Sequence, residues 1–190
     1  MTNKQKQSFS KYLSYILRHN PGELGLKLQD NGWLEIELLL NELNKNKEPI
    51  YTMQLLEEIV AEDNKQRYSI SGDGKFIRAN QGHSIKDLKM DFKTVRLDEL
   101  PDTLYHGTSQ DNANKIFESG EIKAMERQLV HLSGDIQTAT KVGKRHGKLE
   151  ILHIDAKAMA SEGYVIYISD NNVYLVNKVP VKFITKREIF

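Results

Sequence analysis

The spacing of the apolar residues changes once along this chain, near residue 100, and that change limits what it can fold into. Before it, apolar residues recur at helical intervals. Phe9, Leu13, Ile16 and Leu17 share one face of a 3.6-residue period and predict a helix over 9–17. Asn20-Pro21-Gly22 ends it, because proline pushes the preceding residue out of the α region. Ile36, Leu39, Leu40 and Leu43 predict a second helix over 34–45. Thr52 can cap a third, with Met53, Leu56, Ile59 and Val60 on one side. Arg67 to Ser71 then alternates polar and apolar, Gly72-Asp73-Gly74 turns, and Lys75 to Ala79 returns as the partner strand. Residues 96–102, with Pro101 and mixed charges, read as a linker. Beyond it, β-branched and aromatic runs dominate. Leu104-Tyr105-His106 predicts a short strand running into Gly107-Thr108-Ser109, and Ser109 can cap a helix that stops at Gly120. Residues 129–132 predict a strand and 135–145 a helix with Gly143 inside it. Four further strands are expected at 151–154, 165–168, 173–176 and 181–184.

Three helices followed by a hairpin are the ingredients of a winged-helix domain, and the second half is mostly sheet. The expected fold is therefore α+β in two lobes, residues 1–95 and 103–190. A chain of 190 residues normally buries roughly 70% of the surface it exposes when unfolded, so it can hold a core without staples. The absence of cysteine excludes disulfides, thiolate metal sites and a cysteine nucleophile, and fits a reducing, cytoplasmic setting. With 27 Lys+Arg against 26 Asp+Glu, any nucleic-acid contact must come from a local patch. No apolar run suits a signal peptide or a membrane span. No spare amphipathic helix is evident, so a monomer without an obligatory protein partner is expected.

Several clusters could carry chemistry. Arg18 and His19 close the first helix; they either complement its dipole or line an anion pocket. Arg67 opens a predicted strand, and Gln81-Gly82-His83-Ser84 forms a loop whose glycine permits close backbone approach to a phosphate. His106-Gly107-Thr108 directly follows a strand, where backbone groups could meet a planar ligand; an ordinary turn is the alternative. Arg127 precedes His131 and Ser133, which share one face of a strand and suggest either a polar cleft or a solvent-facing edge. Lys141, Lys144, Arg145 and Lys148 form a cationic run, a solvated face or an RNA-backbone contact. The six histidines show no metalloprotease spacing, and no metal site is expected.

Taken in series, LSYILRH, DNGW, KQRY, QGHS, HGT and VHLS resemble one family, the NAD-dependent RNA 2′-phosphotransferases of the tRNA-splicing type. The resemblance runs from about Ser10 to Ile184. It implies a winged-helix lobe for RNA and an ADP-ribosyltransferase-like mixed-sheet lobe for NAD, the co-substrate. It implies a two-step reaction on 2′-phosphorylated RNA, such as tRNA, without a metal. The RNA 2′-phosphate attacks the anomeric carbon of the nicotinamide ribose and nicotinamide leaves. The neighbouring ribose hydroxyl then attacks phosphorus and frees the RNA 2′-hydroxyl, with ADP-ribose 1″,2″-cyclic phosphate as the other product. Motif by motif, the family's catalytic tetrad falls on Arg18, His19, Arg67 and Arg127. NAD contacts fall on His106, Gly107, Thr108, His131 and Ser133, and RNA contacts on Gln81, Gly82, His83 and Ser84, with Lys144 and Arg145 as further candidates. Leu129 departs from the polar or aromatic residue expected before Val130. Two rivals remain at this stage: ADP-ribosyl transfer to nucleic-acid terminal phosphates or bases without the second step, and a non-catalytic winged-helix binder.

Overall fold

The computed structural model describes residues 2–45 and 51–190. Among them the fold is mixed α and β, with six α-helices and four small sheets. The chain divides into two compact units, Met1–Asp91 and Phe92–Phe190.

In the first unit, α1 (Asn3–Arg18) begins well before the apolar stripe that predicts it. A reciprocal cap explains this: Gln5 N–H donates to Thr2 Oγ1 at 3.3 Å, and Thr2 N–H donates to Gln5 Oε1 at 2.8 Å. Phe9, Leu13, Ile16 and Leu17 are the buried residues of the helix. They join Leu39, Leu56 and Ile77 in one core, where each buried side chain contributes about 1.5–3 kcal/mol. Leu34 and Glu35, expected in the second helix, form a short strand β1 (Leu34–Glu35) instead; α2 (Ile36–Asn44) follows. The helix α3 (Met53–Glu62) is capped by Thr52, whose side chain accepts from Leu55 N–H. The hairpin β2 (Tyr68–Ile70) and β3 (Phe76–Ala79) completes an antiparallel sheet of order β1-β3-β2. Tyr68 anchors this sheet on α1, donating to the Ser10 carbonyl at 2.6 Å.

The second unit starts earlier than the expected linker. Strand β4 (Lys93–Thr94) pairs with β9 (Tyr167–Ile168), and Leu100 is buried in the second core. Strand β5 (Thr103–Ser109) runs through the whole of His106-Gly107-Thr108, which therefore lies within a strand rather than after one. Helix α4 (Gln110–Ser119) is capped by Ser109 and ends at Gly120, at φ 83°, as its sequence predicts. Then come β6 (Glu121–Lys123), β7 (Val130–Leu132), α5 (Ile136–Gly143), β8 (Leu149–Asp155), α6 (Ala156–Ser161), β10 (Tyr174–Val176), β11 (Lys178–Pro180) and β12 (Ile184–Ile189). The sheets have orders β4-β9-β10-β7 and β12-β8-β5, with a ribbon β11-β6. The strand expected at 181–184 is corrected. Residues Val181–Phe183 form a 3-10 turn after Pro180, tied by Val181 N–H to the Gly120 carbonyl at 2.9 Å, and the strand begins only at Ile184. The turn buries Phe183 edge-on to Tyr164, with ring centroids 5.4 Å apart.

Candidate functional site

In the first unit the fold brings three separate motifs to one place. Arg18 and His19 sit at the C-terminal end of α1, and the loop after β3 folds onto them. Ser84 N–H donates to the Arg18 carbonyl at 3.0 Å, and Ser84 Oγ meets His19 Nδ1 at 3.0 Å. That bond fixes the exposed His19 ring through one nitrogen. Gly82, at φ 91°, lies so close to the Arg18 side chain that a Cβ there would stand 3.7 Å from its Cδ, Nε and Cζ. Gly82 is buried, whereas Gln81 and Ser84 are half-buried.

Arg67 lies just ahead of β2, opposite Asn80, whose N–H donates to the Arg67 carbonyl at 2.8 Å. Its guanidinium is gripped by Asp63, whose side chain is only 6% exposed. The same carboxylate accepts the Arg67 N–H at 2.6 Å and the Lys65 N–H at 3.3 Å. One aspartate thus shapes the turn after α3 and orients the arginine that follows. Two strand-register steps along, Arg78 lies over the Trp33 ring, 4.6 Å from its centroid. Asn80 is buried, held by Ser69 Oγ at 2.7 Å and by its own donation to the Gln66 carbonyl at 2.8 Å. Asp63, Arg78 and Asn80 are residues that sequence reasoning missed. The Asp63-to-Arg67 spacing of an Asx-type turn was a legible signal for the first; the others emerge only from strand register.

His83 turns inward. It is 2% exposed, and its pKa is pushed down to about 4 by burial, then by the positive charges of Arg18, His19 and Arg78. The ring is therefore neutral at physiological pH and faces the interior rather than solvent.

The second unit carries its own cluster. Tyr105 and Ser133 exchange two backbone hydrogen bonds, at 2.9 and 2.8 Å, and form an isolated antiparallel bridge between β5 and the end of β7. β5 is also the edge strand of its own sheet. His106 and His131 flank this bridge. His106 Nδ1 lies 3.3 Å from the His131 carbonyl, which makes Nδ1 the protonated nitrogen and Nε2 the acceptor. Burial holds the His106 pKa below its ordinary value, so this tautomer stays neutral. His131 Nδ1 reaches the Leu129 carbonyl at 3.0 Å, so position 129 is used there through its backbone and tolerates leucine.

Gly107 has a use beyond ligand approach. A Cβ at Gly107 would stand 1.9 Å from the Ala139 carbonyl oxygen, and one at Gly143 would stand 2.9 Å from Thr108 N. The two glycines let α5 lie directly on β5. Thr108 is buried there. Arg127 is exposed between β6 and β7, its N–H donating to the Ala124 carbonyl at 3.1 Å. Lys144, Arg145 and Lys148 are exposed in the turn that ends α5, where cations also complement the helix dipole. Among the described residues, no three His, Cys, Asp or Glu side chains are grouped to hold a metal ion. No helix among them is long and apolar enough to cross a membrane.

Arginines and a loop-fixed histidine in one unit, and a neutral His106 on an edge strand in the other, suit one class of chemistry: transfer at a phosphate without a cysteine nucleophile. Comparison with known proteins gives the family. A family model described as RNA 2′-phosphotransferase, Tpt1 / KptA family, matches residues 4–178. A probable RNA 2′-phosphotransferase of Nostoc punctiforme is 45% identical over 98% of this chain and 99% of its own length. One from Fusobacterium nucleatum is 46% identical over 92% of this chain and 94% of its own. One from Rhodopirellula baltica is 42% identical over 96% and 97%. The chain belongs to the RNA 2′-phosphotransferase family. Among solved structures, protein CC0527 from Caulobacter crescentus overlaps 46% of this chain and 84% of its own at 15% identity, with a TM-score of 0.36, too slight a likeness to argue from.

Proposed function

We propose that the protein moves an internal 2′-phosphate from RNA to NAD, through an ADP-ribosylated RNA intermediate, and leaves 2′-hydroxyl RNA, ADP-ribose 1″,2″-cyclic phosphate and nicotinamide. One observation supports this reading: the loop after β3 binds the end of α1 through Ser84, fixing His19 beside Arg18, and Asn80 at the start of that loop pairs with the Asp63-held Arg67. The order of helix, strand, two helices and hairpin supports a winged-helix lobe that carries them. The edge strand β5 with its bridge to β7 supports an ADP-ribosyltransferase-like lobe.

The residues fit the task. A phosphate is already an anion at neutral pH, so the first step needs positioning rather than a strong base. Arg18 and Arg67 in the first unit, and Arg127 in the second, supply planar forks for phosphate oxygens that never deprotonate. His19, its ring held by Ser84, passes a proton to the RNA 2′-oxygen as that oxygen leaves phosphorus. The NAD-directed groups are His106, His131 and Ser133 with the β5 backbone at Gly107 and Thr108; the His106 Nε2 acceptor suits a ribose hydroxyl or an amide N–H. Gln81, Gly82 and Ser84 lie on the RNA side, and Lys144 and Arg145 offer backbone phosphate contacts. The enzyme acts as a monomer in the cytoplasm and needs no metal.

The test is nicotinamide release from NAD on adding a short RNA with one internal 2′-phosphate, in the presence of a chelator. One nicotinamide per phosphate removed is expected. Release that ignores the 2′-phosphate, or that leaves ADP-ribose on the RNA as the end product, contradicts the reading.

A further inference from the structure

We propose that His83 is a positioning residue for the phosphate clamp: packed against the Gly32 turn, its ring holds the Gly82–Ser84 strap on Arg18 and His19. This deepens the function proposed above and rests on its assignment of Arg18 and His19 to the phosphate.

The ring is 2% exposed, and neither of its nitrogens meets a protein hydrogen-bond partner. A buried polar group without a partner is costly, so a leucine would fill the space more cheaply if filling were the whole role. The surroundings are shaped for the ring. A Cβ on Gly32 would stand 2.9 Å from His83 Nε2 and 3.5 Å from the Met90 sulfur, and Gly32 takes φ 74°. On the strap's other side, both neighbours of His83 rest on the clamp. Gly82 lies against the Arg18 side chain, and Ser84 binds the Arg18 carbonyl and the His19 ring.

Charge gives the arrangement its sense. The charged groups facing His83 are Arg18 and His19 from α1 and Arg78 from β3. The turn offers Gly32 and the segment leading out of the unit offers Met90, neither of them charged. A proton on the ring would add one more buried positive charge beside these cations, so the empty clamp disfavours it. A phosphate held by Arg18 and His19 offsets their charge, so the ring accepts a proton more readily once the anion is bound. By linkage, the anion then binds more tightly as pH falls into that range.

Two measurements on the full chain test this. The first follows the His83 ring nitrogens of the wild-type protein by NMR as pH falls, with and without inorganic phosphate, at matched ionic strength in chloride. The titration midpoint is expected to rise with phosphate; an unmoved midpoint overturns the proposal. The second is steady-state kinetics of His83→Ala. The expected result is a fall in kcat of about tenfold or more with the KM for NAD unchanged, because the strap holds none of the groups assigned to NAD. A folded variant with wild-type kcat overturns the proposal. Where the variant does not fold, the titration decides alone. A wild-type protein that removes no 2′-phosphate would instead remove the function proposed above, and the phosphate-linked titration still judges His83.

Discussion

Asp63 shows how much one side chain can set. It accepts the backbone N–H groups of Lys65 and Arg67 and also grips the Arg67 guanidinium. Asp63→Ala removes three hydrogen bonds to a carboxylate, two of them half-buried, so a loss of about 1–3 kcal/mol is expected in chemical denaturation. Turnover should fall further than stability accounts for, because Arg67 loses its orientation. His19 makes a sharper case. Its ring is fixed by Ser84, so His19→Ala should abolish most phosphate removal, and unchanged turnover would take it out of the mechanism. Arg67→Ala should slow the phosphorus-centred second step more than the first. Accumulation of ADP-ribosylated RNA on a denaturing gel is the expected sign; equal loss of both steps contradicts it. His83 also couples stability to pH. Its pKa is about 4 in the folded protein, against an ordinary value of 6.5. Between those values the unfolded chain binds a proton that the folded chain refuses. Stability should therefore decline as pH falls from 6.5 to 4, by up to about 3 kcal/mol from this group, and His83→Asn should flatten that part of the curve.

At the scale of elements, the contact of α5 with β5 rests on two glycines. Gly107→Ala puts a methyl 1.9 Å from the Ala139 carbonyl, so the helix must lift or the strand must bend. A loss of roughly 3 kcal/mol or more is expected in thermal unfolding, with NAD binding weakened alongside. The elements also show what a sequence can and cannot tell. The stripe Phe9, Leu13, Ile16 and Leu17 announces α1, and Thr52 and Ser109 announce the caps of α3 and α4, because these signals are local. The start of α1 at Asn3 depends on a cap with no apolar component, so periodicity alone begins the helix too late. Val181 and Phe183 look like strand residues, but Pro180 and the bond to Gly120 fold them into a turn. In the site, Arg18, His19 and Arg67 are legible from their motifs. Asp63 and Asn80 act through partners set by register. The inward turn of His83 depends on Gly32, which lies 51 residues earlier, so no local pattern gives it.

At the scale of the molecule, the two units have separate cores and separate chemistry. The first buries an α1-centred core and presents cations; the second buries a sheet core and carries His106, held neutral, on an edge strand. Both sets of residues are proposed to serve one reaction. The most direct test is a short RNA with one internal, radiolabelled 2′-phosphate, incubated with the protein with and without NAD, and resolved into products. The label is expected to leave the RNA only with NAD present and to appear in ADP-ribose cyclic phosphate. Label that stays on the RNA, with NAD or without it, would contradict the account.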